Sequence, residues 1–373
     1  MPESNPEQEP QSQWLETTGP ICLIVTAQLA PIANLNRFQP AGFPEVGHVI
    51  YDAPRDDGRT EKVCIVDSPA SMANHLETVC FAGASDVGLH PDLVGLPHVL
   101  CVTDREGSNE HKDRIVVTSL TEGHRIASDY FLDGKLIEDG QPSAETFRHR
   151  LRRQFEIIEV KKDKTYFIPP ETWWSIYETI LQYDPNSLVH GVMFAKEQIK
   201  ISRLLTAHLE AFGADRVGRS GVKFDRLGKT TSGQPIFAVD EETAREIRAT
   251  FIIDLALLRS YGRNEHGLNN PQKRLLLDLA IWKIAQLLAR PFRYRSGCQL
   301  KCESLVLSTE PRAGFEAQLP SVDMQASIRA CHFPSDPIAR VYYPASELFK
   351  PEREEQEATP STEEKAGEEE SED

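Results

Sequence analysis

Residues 24–54, IVTAQLAPIANLNRFQPAGFPEVGHVIYDAP, and residues 63–77, VCIVDSPASMANHLE, hold the most readable structural pattern in this chain. Val25, Ala27 and Leu29 alternate with Thr26 and Gln28, which is the period of a half-buried strand. Residues 36–48 then place Arg37, Phe38, Phe43 and His48 among Pro40, Gly42, Pro44 and Gly47. A loop of this composition offers positive charge, flat stacking faces and close backbone approach, which suit a nucleic-acid strand. Val63–Val66 reads as a second strand. Ser68 follows as a helix N-cap, with Pro69 at the first helical position. The helix presents Ser71, Asn74 and His75 near its start, beside backbone N–H groups that favour a phosphate. The order expected is therefore a strand, a loop, a strand and a capped helix.

The 373 residues suffice for one large domain or two small ones. A net charge of −16 appears hostile to nucleic acid until it is apportioned. Residues 351–373 carry −9 and residues 1–13 carry −3, which leaves the body at −4. Residues 1–17 and 350–373 are expected to be disordered, since they have too few apolar side chains to offset ordering entropy. Residues 1–13 are acidic and polar where a secretory leader is basic and then apolar, so no signal peptide is expected. The seven scattered cysteines suggest no disulfide framework, and no apolar run reaches membrane length. A soluble protein of the reducing cytoplasm is therefore expected.

Further along, 97–103 and 114–120 read as strands. Residues 121–187 read as a mostly helical insertion, with Ser143 capping a helix through Arg153 and another helix around Trp173–Tyr177. Apolar residues at 201, 204, 205, 209 and 212 predict a helix over 199–212. Asp240 is expected to cap a helix through Arg259, with Ala244, Ile247, Phe251, Leu255 and Leu258 on one face. Asn270-Pro271 opens a buried helix that stops before Pro291, and 299–307 alternates as a late strand. Residues 213–236 are glycine-punctuated and basic, as in an extended loop or hairpin.

Basic clusters add to the argument for nucleic acid. Residues 196–229 contain eight Lys/Arg, among them Arg203, Arg219 and Lys223, against four acids. Residues 283–301 contain five and no acid. Phe292 and Tyr294 alternate with Arg293 and Arg295, so a strand there would be aromatic on one face and cationic on the other. Enzyme motifs fare poorly. Gly228-Lys229-Thr230 lacks the glycine spacing of a phosphate-binding loop, and Gly218-Arg219-Ser220-Gly221 lacks a residue between Ser and Gly for a nucleophile elbow. Cys298 and Cys302 in one strand stand about 13 Å apart, too far for one zinc ion. Asn186 and His190 read as turn and strand residues rather than as ligands.

Several runs in order resemble one family. They are Arg37-Phe38-Gln39-Pro40-Ala41-Gly42-Phe43-Pro44, Asp67 to Glu77, Asp184 to Val192, Ser220 to Asp225, Leu279 to Ile284, and Arg293 to Cys298. Spanning roughly residues 20 to 308, they are similar to the backbone subunit of type I-G (formerly I-U) CRISPR Cascade complexes, a member of the repeat-associated RNA-binding superfamily. The resemblance implies an α+β fold, a ferredoxin-like, RRM-related palm over 18–349, with the helical insertion at about 121–187 and a protruding thumb hairpin at about 213–236. It implies a non-cleaving, cofactor-free subunit that polymerises along CRISPR RNA. Its partners would be the guide, the target DNA strand paired to it, copies of itself and other Cascade subunits, with no membrane. The RNA-binding residues would be Arg37, Phe38, Gln39, Ser71, Asn74, Arg203, Arg219, Lys223, Arg293 and Arg295. Two rivals stand beside this reading. One is a metal-independent CRISPR RNA-processing endoribonuclease of the same superfamily, with His48 or His75 as general base and Asp67 or Asp104 conceivable in the site. The other is a small-molecule enzyme with an acidic surface and a closed pocket.

Overall fold

The computed structural model describes residues 13–43, 47–82, 88–104, 114–160, 165–170, 172–217, 241–311, 315–316 and 318–348. The acidic tail, the N-terminal twelve residues and 218–236 of the expected thumb lie outside them. Trp14, inside the segment expected to be disordered, is buried against the core.

Among the described residues, fifteen strands make up the two large sheets and one separate pair, and six of the helices accompany them. The strands are β1 Cys22–Pro31, β2 Ile50–Pro54, β3 Thr60–Asp67, β4 His98–Thr103, β5 Arg114–Thr118, β6 Lys135–Glu138, β7 Gln141–Pro142 and β8 Leu205–Phe212. They continue with β9 Asp215–Val217, β10 Glu241–Thr243, β11 Glu246–Asp254, β12 Phe292–Arg295, β13 Cys298–Glu310, β14 Phe315–Glu316 and β15 Ile338–Tyr342. The helices are α1 Pro69–Thr78, α2 Phe147–Gln154, α3 Thr172–Tyr183, α4 Pro185–His190, α5 Asn270–Leu288 and α6 Met324–Ala330.

The fold is mixed α+β, built on an antiparallel sheet ordered β12-β13-β1-β11-β8-β3-β2, with β14 beside β13. Leu23, Val25, Ala27 and Leu29 of β1 are buried together with Ile247, Ala249, Phe251 and Ile253 of β11. Leu205, Ala207, Leu209 and Ala211 of β8 are buried in the same alternating manner. α1 packs against β8 and α5, and α5 reaches β11. In chain order, the central elements are β1, α1, β8, β11, α5 and β13. A second sheet, ordered β5-β4-β15-β6-β7, pairs β15 parallel to β4. The segment 121–187 contributes β6 and β7 to that sheet, besides α2, α3 and the start of α4. α2 is capped by Thr146 rather than by Ser143.

Two expected helices are strands. Residues 199–212 hold β8 and the short strand Ile199–Ile201, and most of 240–259 is β10 and β11, with helix only from Leu255. The reason is arithmetic. Apolar residues four apart, such as Leu205 and Leu209 or Ile247 and Phe251, satisfy period two as well as period 3.6. Ala207, Ala211, Ala249 and Ile253 fill the two-residue positions between and beyond them, and β-branched Thr250 and Ile252 favour the extended chain. The α1 cap forms as expected, with Ser68 Oγ accepting from Ser71 N at 3.2 Å, a contact worth about 1 kcal/mol.

Behind the sheet, a buried polar network locks the helices together. Arg125 grips Glu77 of α1 through Nε–Oε1 at 2.7 Å and Nη2–Oε2 at 3.1 Å. Asn186 Nδ2 donates to Glu77 Oε1 at 2.6 Å, and Lys283 of α5 donates to Asn186 Oδ1 and meets His190 Nε2 at 3.0 Å. Asn186 and His190 thus sit fully buried in α4, and not in a turn and a strand. Removing one partner from such a buried charge pair costs about 3–5 kcal/mol. Among the described residues, no helix is long and apolar enough to cross a membrane.

Candidate nucleic-acid interface

Asp67 ends β3 with its carboxylate buried, and four donors converge on it. Ser68 N reaches Oδ1 at 2.8 Å. Ser71 Oγ, His75 Nε2 and Arg295 Nη2 all reach Oδ2, at 3.1, 2.9 and 2.8 Å. Burial works to raise the Asp67 pKa, but the His75 hydrogen bond and the Arg295 charge outweigh it and hold the carboxyl below its ordinary value. The His75 ring stands edge-on to Phe292 and Tyr294, at centroid distances of 5.4 and 5.3 Å. One carboxylate therefore ties the start of α1 to β12 at the far edge of the sheet.

The strand β12 departs from the simple alternation expected of it. A bulge lies between Arg293 and Arg295, which pair with Gln299 and Cys298. Arg293 stays exposed and donates to Ser296 Oγ at 2.8 Å. Arg295 turns to Asp67 and is only 23% exposed, so it is a structural anchor and not a free cation. The turn to β13 needs Gly297, whose φ is +76°. A Cβ there would stand 3.1 Å from Gln39, whose N–H donates to the Gly297 carbonyl at 2.9 Å.

The loop after β1 is stitched to the β9–β10 pair. Phe38 and Glu242 exchange backbone bonds of 2.9 and 2.8 Å, and the Phe38 ring is 1% exposed. It is therefore a core residue here, not the stacking face its loop context suggests. Arg37 Nε bonds Glu241 at 2.9 Å, while Glu242, fully buried, holds His48 Nδ1 at 2.9 Å and Arg216 Nε at 3.3 Å. Ala41 N donates to Val66 O at 2.9 Å, which joins the loop to β3.

The structure thus gathers Arg37, Gln39, Arg216, Ser71, His75, Arg293 and Arg295 around the loop. Asn74 is exposed. Arg203 is placed elsewhere, beside Gly191 and near Arg125, where burial and the Arg125 charge lower its pKa. Arg219 and Lys223 lie outside the described residues. The acidic partners Glu241 and Glu242 were not legible, because nothing in an isolated acidic pair tells which arginines it will meet. Burial pushes the Cys64 and Cys298 thiols up to about 12, so neither is a ready nucleophile. Among the described residues, no three His, Cys, Asp or Glu side chains cluster as metal ligands would.

Ser71, His75 and Asp67 have the residue types of a nucleophile triad, but the geometry is wrong for one. Both Ser71 Oγ, at 3.3 Å, and Asp67 Oδ2 meet the same nitrogen, Nε2. With its proton directed at the carboxylate, Nε2 has no lone pair for Ser71, whereas a relay uses the two ring nitrogens separately.

A family model described as CRISPR-associated protein GSU0053 matches residues 23–216, just over half of the chain. No curated protein sequence matches. Among solved structures, the crystal structure of Csc2 from Thermofilum pendens is similar at 8% identity and a TM-score of 0.27, covering 83% of this chain and 70% of that one. A chain of a CRISPR RNA-guided surveillance complex, pre-nicking, is similar at 13% identity and a TM-score of 0.30, covering 77% of each.

Proposed function

Because this chain belongs to the GSU0053 family of CRISPR-associated proteins, we propose that it is the CRISPR RNA-binding backbone subunit of a type I-G Cascade complex. Copies polymerise along the guide, contact other Cascade subunits, and leave sequence reading to pairing between the guide and target DNA. The subunit is structural and does not cleave RNA. The observation that carries this reading is the convergence of the 36–43 loop, the N-terminal turn of α1 and the β12–β13 turn on one surface. Arginine and amide groups collected there suit a ribose-phosphate backbone. The strand order β13-β1-β11-β8, with α1 and α5 as the crossovers, supports a ferredoxin-like, RRM-related palm. The β9–β10 pair, which sets Asp215 opposite Thr243 and Val217 opposite Glu241, is where a thumb would emerge.

A second reading, a metal-independent endoribonuclease, draws on the His75–Asp67 pair, since an oriented histidine is what a general base needs. Incubation with CRISPR repeat RNA separates the two. The structural reading expects no cleavage, and cleavage lost in His75→Ala would replace it. The direct test of guide binding uses Arg293→Ala and Asn74→Ala, both exposed positions. Arg293→Ala is expected to lower the log–log salt slope of guide binding by about 0.7, the contribution of one phosphate contact to a single strand. Asn74→Ala is expected to impair assembly on the guide while unfolding shifts by less than about 0.5 kcal/mol. Unchanged slope and assembly would remove this surface from the guide path.

A further inference from the structure

At the other end of β11, about 26 Å along the strand at ~3.3 Å per residue, lies a second basic feature. A cleft of about 1,100 Å³ opens between the short helix Leu255–Ser260, the start of α5 and the residues around Trp14. It is lined by Arg259, Arg263, Lys273 and Arg274, with the half-buried Trp174 beside them and Glu16 as the only carboxylate among the described lining residues.

The charges in this cleft are not compensated as those around Asp67 are. Lys273 is 9% exposed, and its ammonium donates to the Gly262 carbonyl at 2.5 Å. No carboxylate pairs with it among the described residues, and burial lowers its pKa. Arg259 spends its Nη1 on the carbonyls of Trp14 and Pro20, at 3.0 and 2.9 Å. Arg263 is exposed and makes no side-chain bond among the described residues. Arg274 alone is matched, to Asp278 at 2.7 Å. A buried cation without a counter-ion is costly, and an ammonium has three donors where the carbonyl uses one. The positive end of the 19-residue α5 adds to the same field. The volume exceeds what a lone phosphate fills, and an indole beside cations is the combination that holds a base and its phosphates.

We infer that this cleft binds a single-stranded nucleic acid separately from the guide surface, with Arg259, Arg263 and Lys273 on phosphates and Trp174 against a base. The test uses the full chain loaded with guide RNA, titrated with fluorescein-labelled oligothymidylate or oligouridylate at several salt concentrations. Arg263→Glu is the principal variant because its exposed side chain has no hydrogen bond or ion pair to lose among the described residues. Lys273→Gln retains a donor for the Gly262 carbonyl. Each is expected to weaken oligonucleotide binding about tenfold, the scale of one charge-assisted contact, and to lower the salt slope by about 0.7. Guide binding should not change. Tighter binding of thymidylate would identify DNA as the ligand, and tighter binding of uridylate RNA. Equal binding by wild type and both variants would overturn the inference, as would full displacement by inorganic phosphate at matched ionic strength. If guide binding fails while the variants still weaken oligonucleotide binding, the cleft stands and the guide reading falls.

Discussion

Arg295→Ala is the substitution that most directly separates anchoring from RNA contact. The guanidinium supplies one of the four hydrogen bonds to Asp67 and its nearest full positive charge, at 2.8 Å. A hydrogen bond to a charged group contributes about 1.5–3 kcal/mol. Breaking a wholly buried pair would cost about 3–5 kcal/mol, but Arg295 keeps 23% exposure and three donors remain. A loss of about 2 kcal/mol is therefore expected, a factor of about thirty in the folding equilibrium constant. The pH dependence follows from the depressed folded pKa of Asp67. Stability from its ionised form is fully present above the unfolded value of about 3.9 and is lost as pH falls through the folded pKa. Without Arg295 the folded pKa rises, so that loss starts at higher pH. The gap between variant and wild type should then be widest near neutrality and close only as pH falls through the depressed folded pKa of Asp67, where the carboxyl takes up its proton and offers no charge to pair. Urea unfolding across this range reads it. Arg295→Lys should fall between the two, keeping the charge but not the planar fork. A neutral-pH difference under about 0.5 kcal/mol, or one that does not vary with pH, would refute the anchoring role.

Two further outcomes follow from burial. Phe38→Ala should destabilise by about 3–5 kcal/mol in urea unfolding, and RNA affinity per folded molecule should not change, because the ring is 1% exposed. Asp184, fully buried, has its pKa raised by burial to about 6. Its folded pKa thus lies above the unfolded one, so the stability it contributes is present at low pH and is lost as pH rises through about 6. Asp184→Asn should flatten that part of the stability–pH curve, with unfolding midpoints measured either side of it as the check.

What the sequence disclosed and what it concealed divide along local and non-local lines. Ser68-Pro69, the alternation of β1 and the Asn270-Pro271 helix start are written within a few residues, and each formed as expected. β8 and β11 form where helices are expected because spacings of four fit both periods, and only the residues between them distinguish strand from helix. The site was half legible. Gly/Pro/Arg composition marked the 36–48 loop, and the Arg293–Arg295 strand marked itself by charge. That Phe38 turns inward, Arg295 turns to Asp67 and Arg203 lies near Arg125 depends on residues 204, 228 and 78 positions away, at Glu242, Asp67 and Arg125.

The acidic partners bear on how such a surface would hold RNA. Arg37, Arg216 and Arg295 each meet a carboxylate, so net charge around the loop is small even though arginines are concentrated there. Pairing dampens long-range attraction, which already acts over only about 8 Å at physiological salt. In return it fixes long side chains that would otherwise lose up to about 2 kcal/mol each in rotamer freedom on binding. Arg37 and Arg216 remain 48% and 52% exposed while held, so a phosphate can approach guanidinium N–H groups already in place. On the proposed reading, this surface favours geometry over charge. A subunit that repeats along a guide needs the same register at every copy, and preset arginines deliver register where loose lysines would deliver only attraction. On that reading, Arg37→Lys would keep the charge but remove the preset geometry, so the substitution would alter register and not net charge.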